Sequence, residues 1–384
     1  MAGVIVHEWL ESHGGAEKVM EEMAETFPDA PVFALWDDAP GRFPQGRVTE
    51  SWLARTPLRR HKSLALPAMP LAWRHLGNSE ADWILCSSHL FAHHARFAGP
   101  ARSAPKLVYA YTPARYIWNP ELDARGSGSI VKAVSPAFRA IDRQRAQEPR
   151  AIAAISEFVR RRIERAWLRE STVIYPPVDV ALFADARLDG LTDVEREFLD
   201  REIPEEFILG ASRFIPYKRL DLVIKTGKIL GVPTVIAGSG PEEQLLRAYA
   251  NTHGKDVTFV IQPSLPLLRE LFRRARVFVF PPVEDFGIVP VEAMATGTPV
   301  IACDIGGAAE TIVDGRTGAL VRSFEPDEIH DAYRRATEAD PAACQARALA
   351  FDKSVFRGRL ATWVGEASGL GLDPAIVGES VRAG

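Results

Sequence analysis

The stretch that most constrains this chain is residues 278–313, FVFPPVEDFGIVPVEAMATGTPVIACDIGGAAETIV. It opens within an apolar run, Val277–Phe280, of the kind expected for a buried parallel strand, and Pro281-Pro282 ends that run. A loop with Glu284, Asp285 and Gly287 follows. A helix is expected over Val289–Ala295, Thr296-Gly297-Thr298-Pro299 stops it, and Val300–Cys303 reads as a second strand. Strand, helix and strand in this order call for an α/β sheet. Glu284 and Glu292 stand eight positions apart, one in the loop at a strand's carboxyl end and one in the helix after it. Ligands bind at that end of an open α/β sheet. A loop Glu can accept hydrogen bonds from the hydroxyls of a polyol, and a helical Glu can hold a ribose diol. The amides of Phe286, Gly287 and Ile288 at the helix start can meet phosphate oxygens. Taken alone, the pair reads more simply as solvated acids favoured by the helix N-terminus.

At 384 residues the chain has room for two domains. A hydrophobic share of 47% and a charged share of 25% are those of an ordinary globular protein, and a net charge of −4 gives no case for nucleic acid. Cys86, Cys303 and Cys344 are too few and too scattered for a disulfide framework or a zinc site. No cluster of metal ligands stands out. Met1-Ala2-Gly3 runs straight into a strand pattern with no leader of the secretory kind, and no apolar run approaches the roughly 20 residues of a membrane span. A cytoplasmic protein is expected.

Val4–Val6 reads as the first strand, and Gly14-Gly15-Ala16-Glu17-Lys18-Val19 leads into a helix through Met20, Met23 and Phe27. Gly14 and Gly15 let the backbone approach a phosphate at a helix start, though a Gly-Gly pair alone is most simply a turn. The third glycine of a dinucleotide fingerprint is missing. Residues 51–79 hold no Asp and only Glu-free sequence, with Arg55, Arg59, Arg60, Lys62 and Arg74 among Trp52, Leu53, Leu64, Leu71 and Trp73. Such a segment suits an anionic membrane surface or a pyrophosphate-bearing lipid, and equally a half-buried region with a solvated basic face. Pro57, Pro67 and Pro70 rule out one long helix.

Strands are expected over Asp82–Cys86, ending in Ser87-Ser88-His89, and over Lys106–Tyr111, ending in Thr112-Pro113-Ala114-Arg115-Tyr116-Ile117-Trp118-Asn119. His89 can orient a substrate hydroxyl or serve structure alone. Tyr111 can donate a hydrogen bond to a phosphate or sugar oxygen. Pro176-Pro177 reads as an interdomain hinge, and the chain from Phe183 turns charged and loop-like. A second α/β pattern then starts. Arg213 and Lys218 come off the end of the strand Phe207–Ala211 and flank the start of a helix, Leu220–Leu230, a placement that can clamp a diphosphate. Gly238-Ser239-Gly240-Pro241-Glu242 follows the next strand. Ser354–Ala367 reads as a last helix, and residues 370–384 carry little pattern.

These segments resemble the retaining glycosyltransferases of family 4. Glu284 to Glu292 matches the family's E-x7-E, continued by A-M-A-x-G-x-P-V-I-A, and Gly14–Val19 its G-G-A-E-[RK]-V loop. R-F-I-P-Y-K-R carries the family's Arg and Lys at Arg213 and Lys218, and the turn at Gly238 its G-x-G-P-E. S-S-H and Y-T-P-A-R-Y-I-W-N are similar to bacterial surface-polysaccharide mannosyltransferases, which usually have His where Tyr111 stands. The resemblance implies a GT-B fold: two Rossmann-like α/β domains with parallel sheets facing across a cleft. Residues 1–177 would bind the acceptor and 178–352 the donor, and 353–384 would carry a helix crossing back to the first domain and a mobile tail.

The same resemblance implies transfer of a sugar from a nucleotide-diphosphate donor with retention of configuration. Glu284 would hold the sugar and Glu292 the ribose. Arg213, Lys218 and the amides near Gly15 and Gly287 would carry the diphosphate without a metal. No cofactor is expected beyond the donor itself, GDP-mannose being favoured and a UDP-sugar the alternative. A saccharide or polyprenyl-linked acceptor is expected, at the inner face of the cell membrane if residues 51–79 touch lipid. An epimerase, a phosphorylase and a non-catalytic sugar-nucleotide sensor or scaffold are the competing readings.

Overall fold

The apolar runs resolve into two all-parallel sheets. The computed structural model describes residues 2–12, 14–118, 129–185, 190–254 and 256–370. Asn119 and the tail beyond Leu370 lie outside them. The first sheet is formed by β1 (Gly3–His7), β2 (Val32–Ala34), β3 (Val48–Glu50), β4 (Trp83–Ser88), β5 (Lys106–Ala110), β6 (Ala151–Ala154) and β7 (Thr172–Val173), in the order β3-β2-β1-β4-β5-β6-β7. The second is formed by β8 (Ile208–Arg213), β9 (Thr234–Ser239), β10 (Val257–Ile261), β11 (Val277–Phe280), β12 (Val300–Cys303) and β13 (Gly318–Val321), in the order β10-β9-β8-β11-β12-β13. Every pairing is parallel. The sheets belong to two compact units, Met1–Pro177 together with the chain from Ser354, and Val178–Lys353.

Parallel sheets covered on both faces need continuous apolar strands, which is why β1, β4, β5 and β11 are buried along their whole length. In the first unit Gly3 pairs with Trp83, and a Cβ on Gly3 would lie 1.9 Å from the indole. Helix Lys353–Ser368 buries Phe356, Leu360, Trp363 and Val364, and Phe356 meets the edge of Tyr109 at 5.7 Å. Arg357 of this helix pairs with Glu22 and Glu25 of helix Gly15–Thr26. In the second unit Val223 and Ile224 of helix Leu220–Leu230 pack with Ile236, Val279, Ile301 and Val321. Each such side chain contributes about 1.5–3 kcal/mol.

One local expectation is corrected. The loop-like reading from Phe183 onward gives way to helices Val180–Ala184 and Asp193–Arg201. The second is set by a capping box: the Thr192 hydroxyl accepts the Glu195 amide, and Glu195 reaches back to the Thr192 amide at 2.8 Å. Its polar composition hid it, because only Leu199 is buried. The basic segment 51–79 forms no single long helix, as its prolines imply, but four short helical turns, Trp52–Arg55, Pro57–Arg60, Lys62–Ala65 and Met69–Trp73, with Pro57 opening the second and Pro67 standing between the last two.

In each sheet the strand order reverses at the unit's first strand. β1 lies between β2 and β4, and β8 between β9 and β11. The carboxyl ends of β1 and β4, and of β8 and β11, are therefore the two switch points, where an open sheet leaves a crevice for ligands.

Candidate active site

At the second unit's switch point, β8 ends at Arg213, which is exposed. The chain continues through buried Phe214 into the tight turn Pro216–Lys218, which swings Lys218 back toward the neighbouring strand end. Its Nζ donates to Glu284 Oε1, the first loop carboxylate after β11. Both side chains are largely withdrawn from solvent, at 9% and 19% exposure, and the ammonium also lies 5.2 Å from the Tyr217 ring and 5.9 Å from that of Phe280. Two residues separated by 66 positions thus meet, because β8 and β11 are hydrogen-bonded neighbours.

The loop after β11 is clamped from below. The Gly307 amide donates to the Glu284 carbonyl at 2.7 Å, and a Cβ on Gly307 would lie 2.2 Å from the Asp285 carbonyl oxygen. That contact accounts for the glycine pair following β12. Gly287 caps helix Ile288–Ala295 with φ 98°, and a Cβ there would crowd Ala308 at 2.9 Å. Asp285 and Phe286 are buried, Ile288 is half-buried at the first helical position, and Glu292 is buried on the helix. Gly238 has a backbone reason for its identity: at φ 138°, a Cβ would sit 1.9 Å from the Ser212 carbonyl oxygen at the adjoining end of β8.

The first unit's switch point carries a line of polar groups. His7 Nδ1 is 2.9 Å from Ser87 Oγ, which is 3.0 Å from the Tyr111 hydroxyl, and that hydroxyl donates to the Ala16 carbonyl at 3.2 Å. Tyr111 therefore ties the end of β5 to the first turn of helix Gly15–Thr26, and desolvation holds its phenol above the usual range. His89, half-buried, sets its ring against Trp9 at 4.9 Å, His7 at 5.9 Å and Tyr111 at 6.1 Å. Gly14 and Gly15 open the helix as expected and are exposed, with the Glu17 side chain set against Gly14. Glu17 folds back until its Oε2 lies 1.9 Å from where a Gly14 Cβ would stand. Burial raises the Glu17 carboxyl.

Two buried acids here had no role on sequence grounds. Glu8 Oε1 accepts the amides of Leu90 at 2.8 Å and Ala92 at 2.7 Å, holding the loop that carries His89. Its Oε2 is buried without a hydrogen-bond partner among the described residues, and burial pushes the acid up to about 7. Asp142 takes both indole N–H groups of Trp118 at 2.7 Å and Trp167 at 2.6 Å on Oδ2, while His93 and His94 Nε2 lie 3.1 and 3.2 Å from Oδ1. Burial alone would raise this carboxyl, but the imidazoles and their hydrogen bonds hold it well below the usual range. The three side chains have metal-ligand types, with donor atoms within 4.8 Å of one another. Because both oxygens already face N–H donors, the cluster acts as a hydrogen-bond hub. The one sequence signal for Glu8 was an acid immediately after an apolar strand. Asp142 gave none, since its partners come from three separate segments.

Comparison with known proteins bears on both units. Residues 13–182 match the family model described as Glycosyltransferase Family 4, and residues 193–348 match Glycosyl transferases group 1. A D-inositol 3-phosphate glycosyltransferase of Mycobacterium avium is 32% identical over 195 residues, covering 48% of this chain and 45% of that protein. The Mycolicibacterium smegmatis protein of the same name is 31% identical over 181 residues, 44% of this chain and 41% of the other. The aligned region spans less than half the length of these relatives. Among solved structures, HepE of Anabaena in complex with UDP superposes with a TM-score of 0.69 at 19% identity, over 94% of this chain and all of the other. WaaG, a glycosyltransferase involved in lipopolysaccharide biosynthesis, gives 0.59 at 14% identity over the full length of both chains. Those identities speak for the fold alone. With one family model on each unit and two parallel sheets beneath them, the chain joins a Glycosyltransferase Family 4 domain to a Glycosyl transferases group 1 domain on a GT-B fold.

Proposed function

We propose that the protein transfers a sugar, mannose in the favoured case, from a nucleotide-diphosphate donor to an acceptor hydroxyl with retention of configuration. The observation that carries the reading is the meeting of Lys218 with Glu284 beside Arg213 at the second unit's switch point. A cation pair for the diphosphate and an acid for sugar hydroxyls are what a nucleotide sugar presents to a protein. In this reading Arg213 and Lys218 offset charge on the departing diphosphate, aided by the amides at Gly287 and Ile288, and no metal is required. Glu292 holds the ribose. No residue stands out as a nucleophile on the sugar's far face, so the departing phosphate takes the acceptor's proton on the same face.

Support for the donor class comes also from the solved relatives, whose crystals hold UDP and UDP-glucose. The curated relatives are named for D-inositol 3-phosphate, which makes a phosphorylated cyclitol a second acceptor candidate beside a polyprenyl-linked saccharide. A membrane-facing role for residues 51–79 rests on exposed Trp52, Leu64 and Leu71 with exposed Arg55 and Arg60. The other cations of that segment are engaged internally, Arg59 with Asp38, Lys62 with Glu11 and Arg74 with Glu148. The expected place of work is the inner face of the cell membrane.

The test is to incubate the protein with GDP-mannose, UDP-glucose and UDP-N-acetylglucosamine, each with inositol 3-phosphate or a polyprenyl-pyrophosphate saccharide, and to measure nucleoside diphosphate released and the anomer formed. Turnover with one donor is expected. Donor binding with no turnover across the acceptors would favour the sensor reading, and an inverted product would overturn retention.

A further inference from the structure

We infer that the Lys218–Glu284 pair is an internal occupant of the diphosphate position, exchanged for the donor's phosphate when the donor binds and restored when the sugar has left. The inference rests on the donor reading above and adds a direction to it.

An ammonium is a compact charge with three donors. One of them is turned to Glu284, and the aromatic rings of Tyr217 and Phe280 flank the group. A diphosphate brings more charge than one carboxylate and can reach exposed Arg213 as well, so it displaces Glu284 from Lys218. The loop cannot withdraw to make room. Its backbone is held by the Gly307 amide, and the Asp285 carbonyl rests against Gly307 with no space for a methyl group. Only the Glu284 side chain can move, and it must then find new donors or stand as an anion beside an anion.

The sugar hydroxyls of an intact donor supply those donors. A bare nucleoside diphosphate supplies none. Glu284 thereby favours the intact donor over the spent one, and after transfer its return to Lys218 helps expel the product. The exchange links two recognitions, diphosphate by Lys218 and sugar by Glu284, through a single ion pair.

The experiment is calorimetric titration of the full chain with UDP, GDP, inorganic pyrophosphate, UDP-glucose and GDP-mannose, for the natural protein and for Glu284→Gln. Gln keeps the side chain's size but offers Lys218 no charge. Bare diphosphates should bind Glu284→Gln about fivefold tighter, the low end of coupling between linked sites, while the intact donor binds more weakly. Product inhibition in the transfer assay should deepen by the same factor. Glu284→Ala should show the same sign for bare diphosphates, which guards against a folding artefact of one variant. Equal or weaker binding of bare diphosphates to both variants would overturn the exchange and leave the donor reading standing. Absence of any diphosphate or donor binding by the natural protein would remove the donor reading, and the exchange with it.

Discussion

Burying a carboxyl forces either its neutralisation or its encirclement by donors, and Asp142 and Glu8 take opposite courses. Asp142 is ringed by two indoles and two imidazoles. Asp142→Asn would turn an amide N–H toward groups that are themselves donors, and the expected loss is about 3–5 kcal/mol of stability, read by urea unfolding. Glu8 instead has a folded pKa near 7, above the 4.5 of the free acid. The native state holds an extra proton between these values, so stability falls as pH rises through that window, by about 3 kcal/mol in all. His7 and His94 work from the other side. Burial lowers both from 6.5 to about 4, so the native state binds fewer protons there, and stability falls as pH drops from 6.5 toward 4. With two histidines outweighing one acid below pH 6.5, the thermal midpoint should peak near pH 6.5, and Glu8→Gln should steepen its fall on the acid side and remove the small decline between pH 6.5 and 7. A midpoint unchanged between pH 5 and 8 in both proteins would refute these assignments. Of the residues singled out in the sequence, Glu284, Arg213 and Lys218 were legible because their spacing is local to one strand end each. The contact of Lys218 with Glu284 was not, since it depends on which strands are neighbours.

Elements were legible where apolar periodicity ran long. Helix Leu220–Leu230 and strands Val277–Phe280 and Val300–Cys303 fall at the residues their patterns mark. β2 and β3 escaped because three residues each give no period to count. Helix Asp193–Arg201 escaped because its cap, not its apolar face, defines it. That helix supplies a control: Thr192→Ala should lower stability by about 1 kcal/mol and leave donor turnover unchanged. Gly307→Ala should do the reverse. Its new methyl group would press on the Asp285 carbonyl, and a strain of about 1–3 kcal/mol relieved by moving that loop would weaken UDP-sugar affinity roughly 10- to 100-fold, read by calorimetry. Wild-type affinity in Gly307→Ala would show that the clamp beneath Glu284 has no part in binding.

At the scale of the whole molecule, the two units differ in how sequence supplies them. Residues 178–353 contain all six strands of the second sheet and its core. Expressed alone they should fold cooperatively, with a calorimetric transition of their own. Residues 1–177 alone lack the helix that buries Phe356, Leu360, Trp363 and Val364 and that brings Arg357 to Glu22 and Glu25. At about 1.5–3 kcal/mol for each buried side chain, that fragment should aggregate or bind a hydrophobic dye, and adding residues 353–370 in trans should rescue it. This division has a consequence for synthesis. A ribosome releases the first unit's opening strands long before the segment that completes them, so the second unit can finish folding while the first still waits. In the interval its open apolar seam is the part of the nascent chain a chaperone would meet.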